Sequence, residues 1–318
     1  MRAFFVAVAL LFLAAAAEAQ PARKTVGVLL FSTPEGDANL AAFRRGLAEL
    51  GYVEGRNLAL VYRYADGKPE RLPAQAAELV ALAPDLIFAM GGDVAPFART
   101  ATSTIPIVVA VSNDPVQAGL VASLARPGGN VTGVTFVSSD LAAKRLQLLK
   151  EAAPTVSRVA VLWNPDHVDP EYRETQAAGR ILGVRVQSLE VRSTADFEAA
   201  FQAAAAEGAQ ALVVVSSRLT TFNQRRIMEL AAQQRLPVVS GSGPWADAGA
   251  LMSYGPDLDA IVRRAATHVD RVLKGANPAQ LPIERPTRHE LVLNLRTARA
   301  LGLAISPTLR AQANRVID

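Results

Sequence analysis

Residues 25–31 read Thr-Val-Gly-Val-Leu-Leu-Phe, and the reading of this run decides the fold. It is too short for a stable helix, and it is apolar at odd and even positions alike. That pattern suits a strand covered on both faces, as in a parallel sheet. The period then changes: over residues 35–51, Leu40, Phe43, Leu47 and Leu50 recur at helical spacing, and Gly51 closes the segment. The alternation continues with strands expected at 58–64, 85–90 and 107–111 and helices at 70–82 and 94–100. A second series follows, with helices at 141–153, 171–182, 194–206 and 221–235 and strands at 158–163, 184–191, 211–215 and 238–239. Residues 258–273 read as a long amphipathic helix, 290–295 as a strand and 296–301 as a short helix. Alternation of this kind implies α/β architecture, parallel sheets flanked by helices on both faces.

Two βα series imply two lobes, and a chain of 318 residues is long enough to give each its own core. Between the series lies Pro127-Gly128-Gly129-Asn130-Val131-Thr132-Gly133, rich in turn formers. The βα rhythm restarts just after it, so a hinge is expected at Asn130, Thr132 and Gly133 rather than an ordinary surface loop.

Composition narrows the function. Hydrophobic residues make up 50% and charged residues 19%, which excludes a disordered chain. The net charge is +4, but the basic residues are scattered and not interleaved with aromatics, so nucleic acid is not an expected partner. There is no cysteine, which removes disulfides, thiol nucleophiles, thiolate metal sites and a cysteine-linked lipid anchor. At the N-terminus, Arg2 precedes a wholly apolar run from Ala3 to Ala17, and Ala17-Glu18-Ala19 places small residues before a cut at Gln20. These features describe a secretory signal peptide over residues 1–19, and the run is short for an uncut membrane anchor. The expected location is the periplasm, without a lipid tether.

Ligands of open parallel sheets bind beyond the C-terminal strand ends, near helix N-termini. Those ends carry polar or glycine residues here. The candidates are Ser32, Thr33, Gly92, Asp93, Ser112 and Asp114 in the first series and Asn164, Ser216 and Ser240 in the second. Asp93 and Asp114 are suited to a ligand ammonium, and Ser32, Thr33 and Ser216 to a carboxylate. Taken singly, each Ser, Thr, Asn or Asp also reads as a helix cap. Tyr254 suits ring stacking or hydrogen bonding to a ligand and equally a place in the core; Trp163 also reads as core. No cofactor and no metal site is expected. His167, His268 and His289 are far apart, His167 reads as a solvated loop residue, and no nucleophile elbow, P-loop or dinucleotide fingerprint is present.

The stretch from Asp114 to Gly133, with Gly119-Leu120-Val121-Ala122-Ser123-Leu124-Ala125-Arg126 at its centre, resembles the substrate-binding components of ABC transporters that include tryptophan-binding receptors. Ser253-Tyr254-Gly255, Arg264-Ala265-Ala266 and Leu291-Val292-Leu293-Asn294-Leu295 strengthen the resemblance, which covers nearly all of the chain after the signal. It implies a type I periplasmic-binding-protein fold with three crossovers. The N-terminal lobe would take 24–133 and about 245–280, the C-terminal lobe 134–244 and about 283–318. It further implies a small, aromatic or amino-acid-like ligand held by lobe closure and handed unchanged to an ABC permease in the inner membrane by a monomeric receptor. One departure stands out: Ser240-Gly241-Ser242-Gly243-Pro244-Trp245 occupies a place where a larger aromatic and basic segment is expected. The rival readings are an enzyme, for which no motif speaks, and a periplasmic sensor for a membrane kinase.

Overall fold

The computed structural model describes residues 23–35 and 37–318, so the expected signal peptide lies outside the described residues. Five strands, β1 (Lys24–Leu30), β2 (Leu58–Tyr64), β3 (Leu86–Met90), β4 (Ile107–Val111) and β5 (Val131–Thr135), form one sheet in the order β2-β1-β3-β4-β5. All its pairs are parallel. Seven more strands form the second sheet: β6 (Arg158–Trp163), β7 (Arg185–Glu190), β8 (Ala211–Val214), β9 (Val238–Ser240), β10 (Met252–Gly255), β11 (Glu290–Asn294) and β12 (Arg315–Ile317). Their order is β12-β11-β10-β9-β8-β6-β7. This sheet is parallel except where β11 runs antiparallel to β10. The two-lobed α/β arrangement is therefore as expected, with one antiparallel pair as an addition.

Each sheet is central because its inner strands, such as β3, β4 and β8, are apolar and buried along their whole length. In the first lobe, helix α1 (Ala38–Glu49) covers one face with α10 (Leu258–Leu273), and α2 (Leu72–Ala81) and α3 (Ala95–Ala101) cover the other. Phe43 of α1 stacks on Phe88 of β3 with ring centroids 3.9 Å apart. In the second lobe, α4 (Ala142–Ala152), α5 (Glu171–Leu182), α11 (Leu295–Leu301) and α12 (Pro307–Gln312) lie over one face. Helices α6 (Phe197–Ala206) and α8 (Gln224–Gln233) lie over the other. Two short helices, α7 (Arg218–Phe222) and α9 (Gly243–Asp247), follow β8 and β9.

The chain passes between the lobes three times. The first passage follows β5, at Phe136–Ser138, where Val137 takes a left-handed φ of 36°. The second is Pro256-Asp257, between β10 and α10, and the third follows Glu284, whose backbone still pairs with β5. Sheet membership corrects the expected lobe boundaries. The return segment at about 245–280 divides, since β10 pairs into the second sheet while α10 packs on the first.

The expected hinge residues are also corrected. Asn130 fastens the start of β5 by donating to the carbonyls of Thr102 (3.1 Å) and Ile105 (2.8 Å). Thr132 donates to Leu281 O at 2.7 Å. Gly133 lies inside the strand with φ 139°, where a Cβ would meet Val109 O at 2.1 Å. Turn-forming residue types serve here as strand residues, because β5 runs too close to β4 to carry a side chain at 133.

Candidate functional site

Between the strand ends of the two lobes lies a cavity of about 70 Å³. The first lobe gives it an apolar wall: Met90 ends β3, Ala110 lies in β4, Phe136 begins the first passage, and Leu258, Ile261 and Val262 come from α10. Its polar end mixes both lobes. Asn39, Gly92, Asp93 and Ser112 come from the first, and Ser216, Ser217, Arg218, Thr221 and Ser242 from the second.

Arg218 dominates the electrostatics. Its backbone N–H donates to Asp93 Oδ2 across the cleft at 2.9 Å, and its guanidinium lies 3.6 Å from Asp37 Oδ2. Asp37 is held in place because its other oxygen caps α1 at Asn39 N (3.1 Å). Gly91, with φ 118°, leaves the space Arg218 uses, since a Cβ there would meet Arg218 Nε at 2.4 Å. Among the described residues, Asp93 Oδ1 is buried with no partner, and no hydrogen bond is made by the hydroxyls of Ser216 and Ser242. Ser242 stands before α9 without capping it.

A second buried polar cluster adjoins the cavity. Arg145 of α4 is fully buried and pairs with Glu171 at 2.5 Å. It also donates to Tyr254 O (2.8 Å) and Ser138 O (3.1 Å), which ties the first passage to β10. Its Nη2 has no partner among the described residues and lies beside Gly241, where a Cβ would meet it at 2.8 Å. On the loop after β6, His167 reaches Ser112 Oγ across the cleft at 3.3 Å, and Asn113 donates to Val168 O at 3.1 Å. Burial lowers the His167 pKa below the usual imidazole range. Burial, followed by the nearby Glu171 carboxylate, has Asp169 pushed up to about 8.

The candidates from sequence separate into two sets. Gly92, Asp93, Ser112 and Ser216 line the cavity. Ser32 and Thr33 lie half-buried at the end of β1, outside its lining. Asp114 holds its own turn, accepting from Val116 N at 2.8 Å, and Asn164 does the same for Asp166 N at 2.9 Å. Ser240 is buried and donates to Val214 O between strands. Tyr254 packs with the second lobe's core, its ring 6.0 Å from that of His289. Trp163 stacks on Tyr172 at 4.6 Å. His167, read as a solvated loop residue, is 3% exposed and bridges the lobes.

Sequence reasoning missed Arg218, Arg145, Asn39, Ser242 and Phe136. Arg145 carried a signal, because it shares a helical face with Ala142, Leu146 and Leu149, and a charge on an apolar face calls for a buried partner. Arg218 had none beyond its place after Ser216-Ser217. Among the described residues, no group of His, Asp and Glu is arranged to hold a metal ion, and no helix is long and apolar enough to cross a membrane.

A family model described as ABC transporter substrate binding protein matches residues 25–317. A tyrosine-binding protein of Clostridioides difficile (strain R20291) is 25% identical over 285 residues, 88% of this chain and 81% of the relative. An ABC domain in complex with L-Trp from Streptococcus pneumonia is 25% identical and superposes with a TM-score of 0.86, covering 93% of this chain and 100% of that one. A ligand-free, open substrate binding protein with adhesive properties from Clostridium difficile is also 25% identical, with a TM-score of 0.65, covering 92% of this chain and 99% of that one.

Proposed function

The chain belongs to the ABC transporter substrate binding protein family, and from that premise we propose that it is an exported, periplasmic receptor that closes its lobes on an amino acid and delivers it unchanged to an ABC permease. The observation that carries the amino-acid reading is Asp93 Oδ1, a buried carboxylate oxygen left without a partner at the cavity's polar end. A buried charge without a partner is costly. A ligand ammonium would satisfy it. The unpaired hydroxyls of Ser216 and Ser242 would donate to the ligand carboxylate, and the apolar wall of the first lobe would take the side chain. The tyrosine-binding and L-Trp-bound relatives support this class of ligand.

Closure is supported by comparison of two relatives. At the same identity, the L-Trp-bound structure fits this chain with a TM-score of 0.86 and the ligand-free, open one with 0.65. The lobe arrangement therefore resembles the bound one. Export is supported by the charged start, apolar run and small-residue site at the N-terminus. The function test is calorimetry of the purified protein against the proteinogenic amino acids, with Asp93→Asn beside it. At least one amino acid is expected to bind and be recovered unaltered. The variant is expected to weaken that binding by about 10- to 100-fold, the worth of a charged hydrogen bond of about 1.5–3 kcal/mol. Binding that is indifferent to Asp93→Asn would overturn the assigned orientation.

A further inference from the structure

We infer that Arg145 is the positioning residue for the ligand's carboxylate, donating to the Ser216 hydroxyl oxygen when ligand is bound and so turning the Ser216 proton into the cavity. The inference rests on the reading of this cavity as an amino-acid site and adds the cation that the carboxylate end otherwise lacks. A guanidinium carries five N–H donors. Three of those on Arg145 are engaged, by Tyr254 O, Ser138 O and Glu171, and all three sit on Nε and Nη1. The remaining pair is on Nη2, which is buried and without a partner among the described residues. A buried cation with idle donors is costly. The bonds already made hold the guanidinium plane still, so the idle pair has one direction in which to find a partner.

That direction is toward Gly241. A Cβ at 241 would stand 2.8 Å from Arg145 Nη2 and 3.0 Å from Ser216 Oγ, so the two atoms face the same spot. Gly241 is not among the residues with a left-handed backbone; the space, not the backbone angle, calls for glycine there. Its backbone is held as well, because Gly255 approaches so closely that a Cβ at 255 would meet Gly241 O at 1.8 Å. Ser216 also lines the cavity, so its hydroxyl belongs both to the ligand's surroundings and to those of the guanidinium. A serine hydroxyl has one hydrogen to donate and can accept others. With Nη2 donating to its oxygen, that hydrogen is left for the cavity and demands an acceptor from the ligand. The cation behind it strengthens the bond, since a charge acts more strongly in a dry interior than in water. The ligand carboxylate thereby gains a cation without having to reach it.

The test is calorimetry of the purified protein at about pH 6, where an α-ammonium is charged. The probes are the proteinogenic amino acids and the carboxamide of each one that binds, which keeps the shape and the ammonium and removes only the negative charge. The unaltered protein is expected to prefer an amino acid to its amide by about tenfold or more. Arg145→Lys keeps a cation beside Glu171 but loses the nitrogen that faces Ser216. It is expected to cut that preference to about threefold or less while changing amide affinity by less than about threefold, the mark of coupling between Arg145 and the carboxylate. Should Arg145→Lys fail to fold, Gly241→Ala takes its place, since it keeps both charges and sets a methyl group against Nη2 and Ser216 Oγ, with the same outcome expected. A merely structural role for Arg145 would weaken acid and amide in parallel. That result, or an undiminished preference in the folded variant, would overturn the inference and leave the amino-acid reading standing, as would equal binding of acid and amide by the unaltered protein. No binding of any amino acid would overturn the amino-acid reading, and the inference with it.

Discussion

His167 and Asp169 stand two residues apart on one loop, and burial moves their protonation in opposite directions. Asp169 is pushed up to about 8 by burial first, then by Glu171 and Asp114, against the pull of Arg145 and a backbone hydrogen bond. The first lobe contributes to that burial, since Asn113 reaches over to Val168 O. With the lobes apart, water would return the carboxyl toward its ordinary value of about 3.9. If the lobes close on the ligand as proposed, closure takes up a proton. The closed form has its full advantage below the open-state pKa and loses it as pH rises toward about 8. Ligand affinity is therefore expected to fall with rising pH, by at most tenfold per unit, and to level off above about 8. His167 acts with the other sign. Its pKa is lowered by burial, against the attraction of Asp93 and Glu171 and with the repulsion of Arg218. Closure favours its neutral ring, and a cost appears only below the ordinary imidazole pKa of about 6.5. Between about 6.5 and 8 the Asp169 effect stands alone. Calorimetry at pH 6.5, 7.25 and 8 in buffers of different ionisation enthalpy measures the proton taken up. Asp169→Asn is expected to flatten the profile, and a flat profile in the unaltered protein would refute the linkage.

At the scale of elements, β5 ties the two observations about the lobes together. It ends the first sheet and leads directly into the first passage, through Thr135, whose hydroxyl donates to Asn113 O at 2.7 Å. Gly133→Ala would drive a Cβ into the β4 backbone at a φ that side chains avoid. It is expected to lower the unfolding free energy by at least about 2 kcal/mol, read from urea denaturation with unchanged m-value. Strands were most legible where the apolar run is uninterrupted, as at Ile107–Val111, whose ends are as read from sequence; the ends of Leu58–Tyr64 were also as read, although Arg63 interrupts it. Elements held mainly by tertiary contacts were not. Met252–Gly255 has only four residues and pairs on both edges, while α9 and α12 are a turn or two long. The site was legible where a strand end supplies its own side chain, as with Asp93 and Ser216. It was illegible where a residue enters from a helix far along the chain, as with Ile261, and at Asp114 the alternative capping reading is the one the structure bears out. Periodicity tells which face is apolar; it does not tell which distant element that face will meet.

For the whole molecule, the links between lobes are few and of different kinds. Among the described residues they include Arg218 with Asp93 and Asp37, His167 with Ser112, Asn113 with Val168, and the Phe31–Phe222 stack. Against this stand three passages of chain that permit bending, one of them through the left-handed Val137. Arg218→Ala removes the side-chain tie to Asp37 and leaves that carboxylate buried without a counter-ion. The variant is expected to keep its folded spectrum but to show a larger radius of gyration in small-angle scattering than the unaltered protein, and to bind its ligand at least tenfold more weakly. Equal radii with and without the substitution would show that Arg218 does not hold the lobes together.

The triple passage also has a bearing on the order in which the protein is made. Helix α10, which covers the apolar face built by Leu40, Phe43, Phe88 and Val108, begins at Leu258, whereas the last strand of that sheet ends at Thr135. A growing chain therefore finishes a sheet more than a hundred residues before the lid for one of its faces exists. At about 5–20 residues per second, that face stands open for roughly ten seconds in every round of synthesis. Such a nascent chain is a natural client for holding factors that bind exposed apolar surface, and it stays unlocked, and so threadable, until its final fifth emerges.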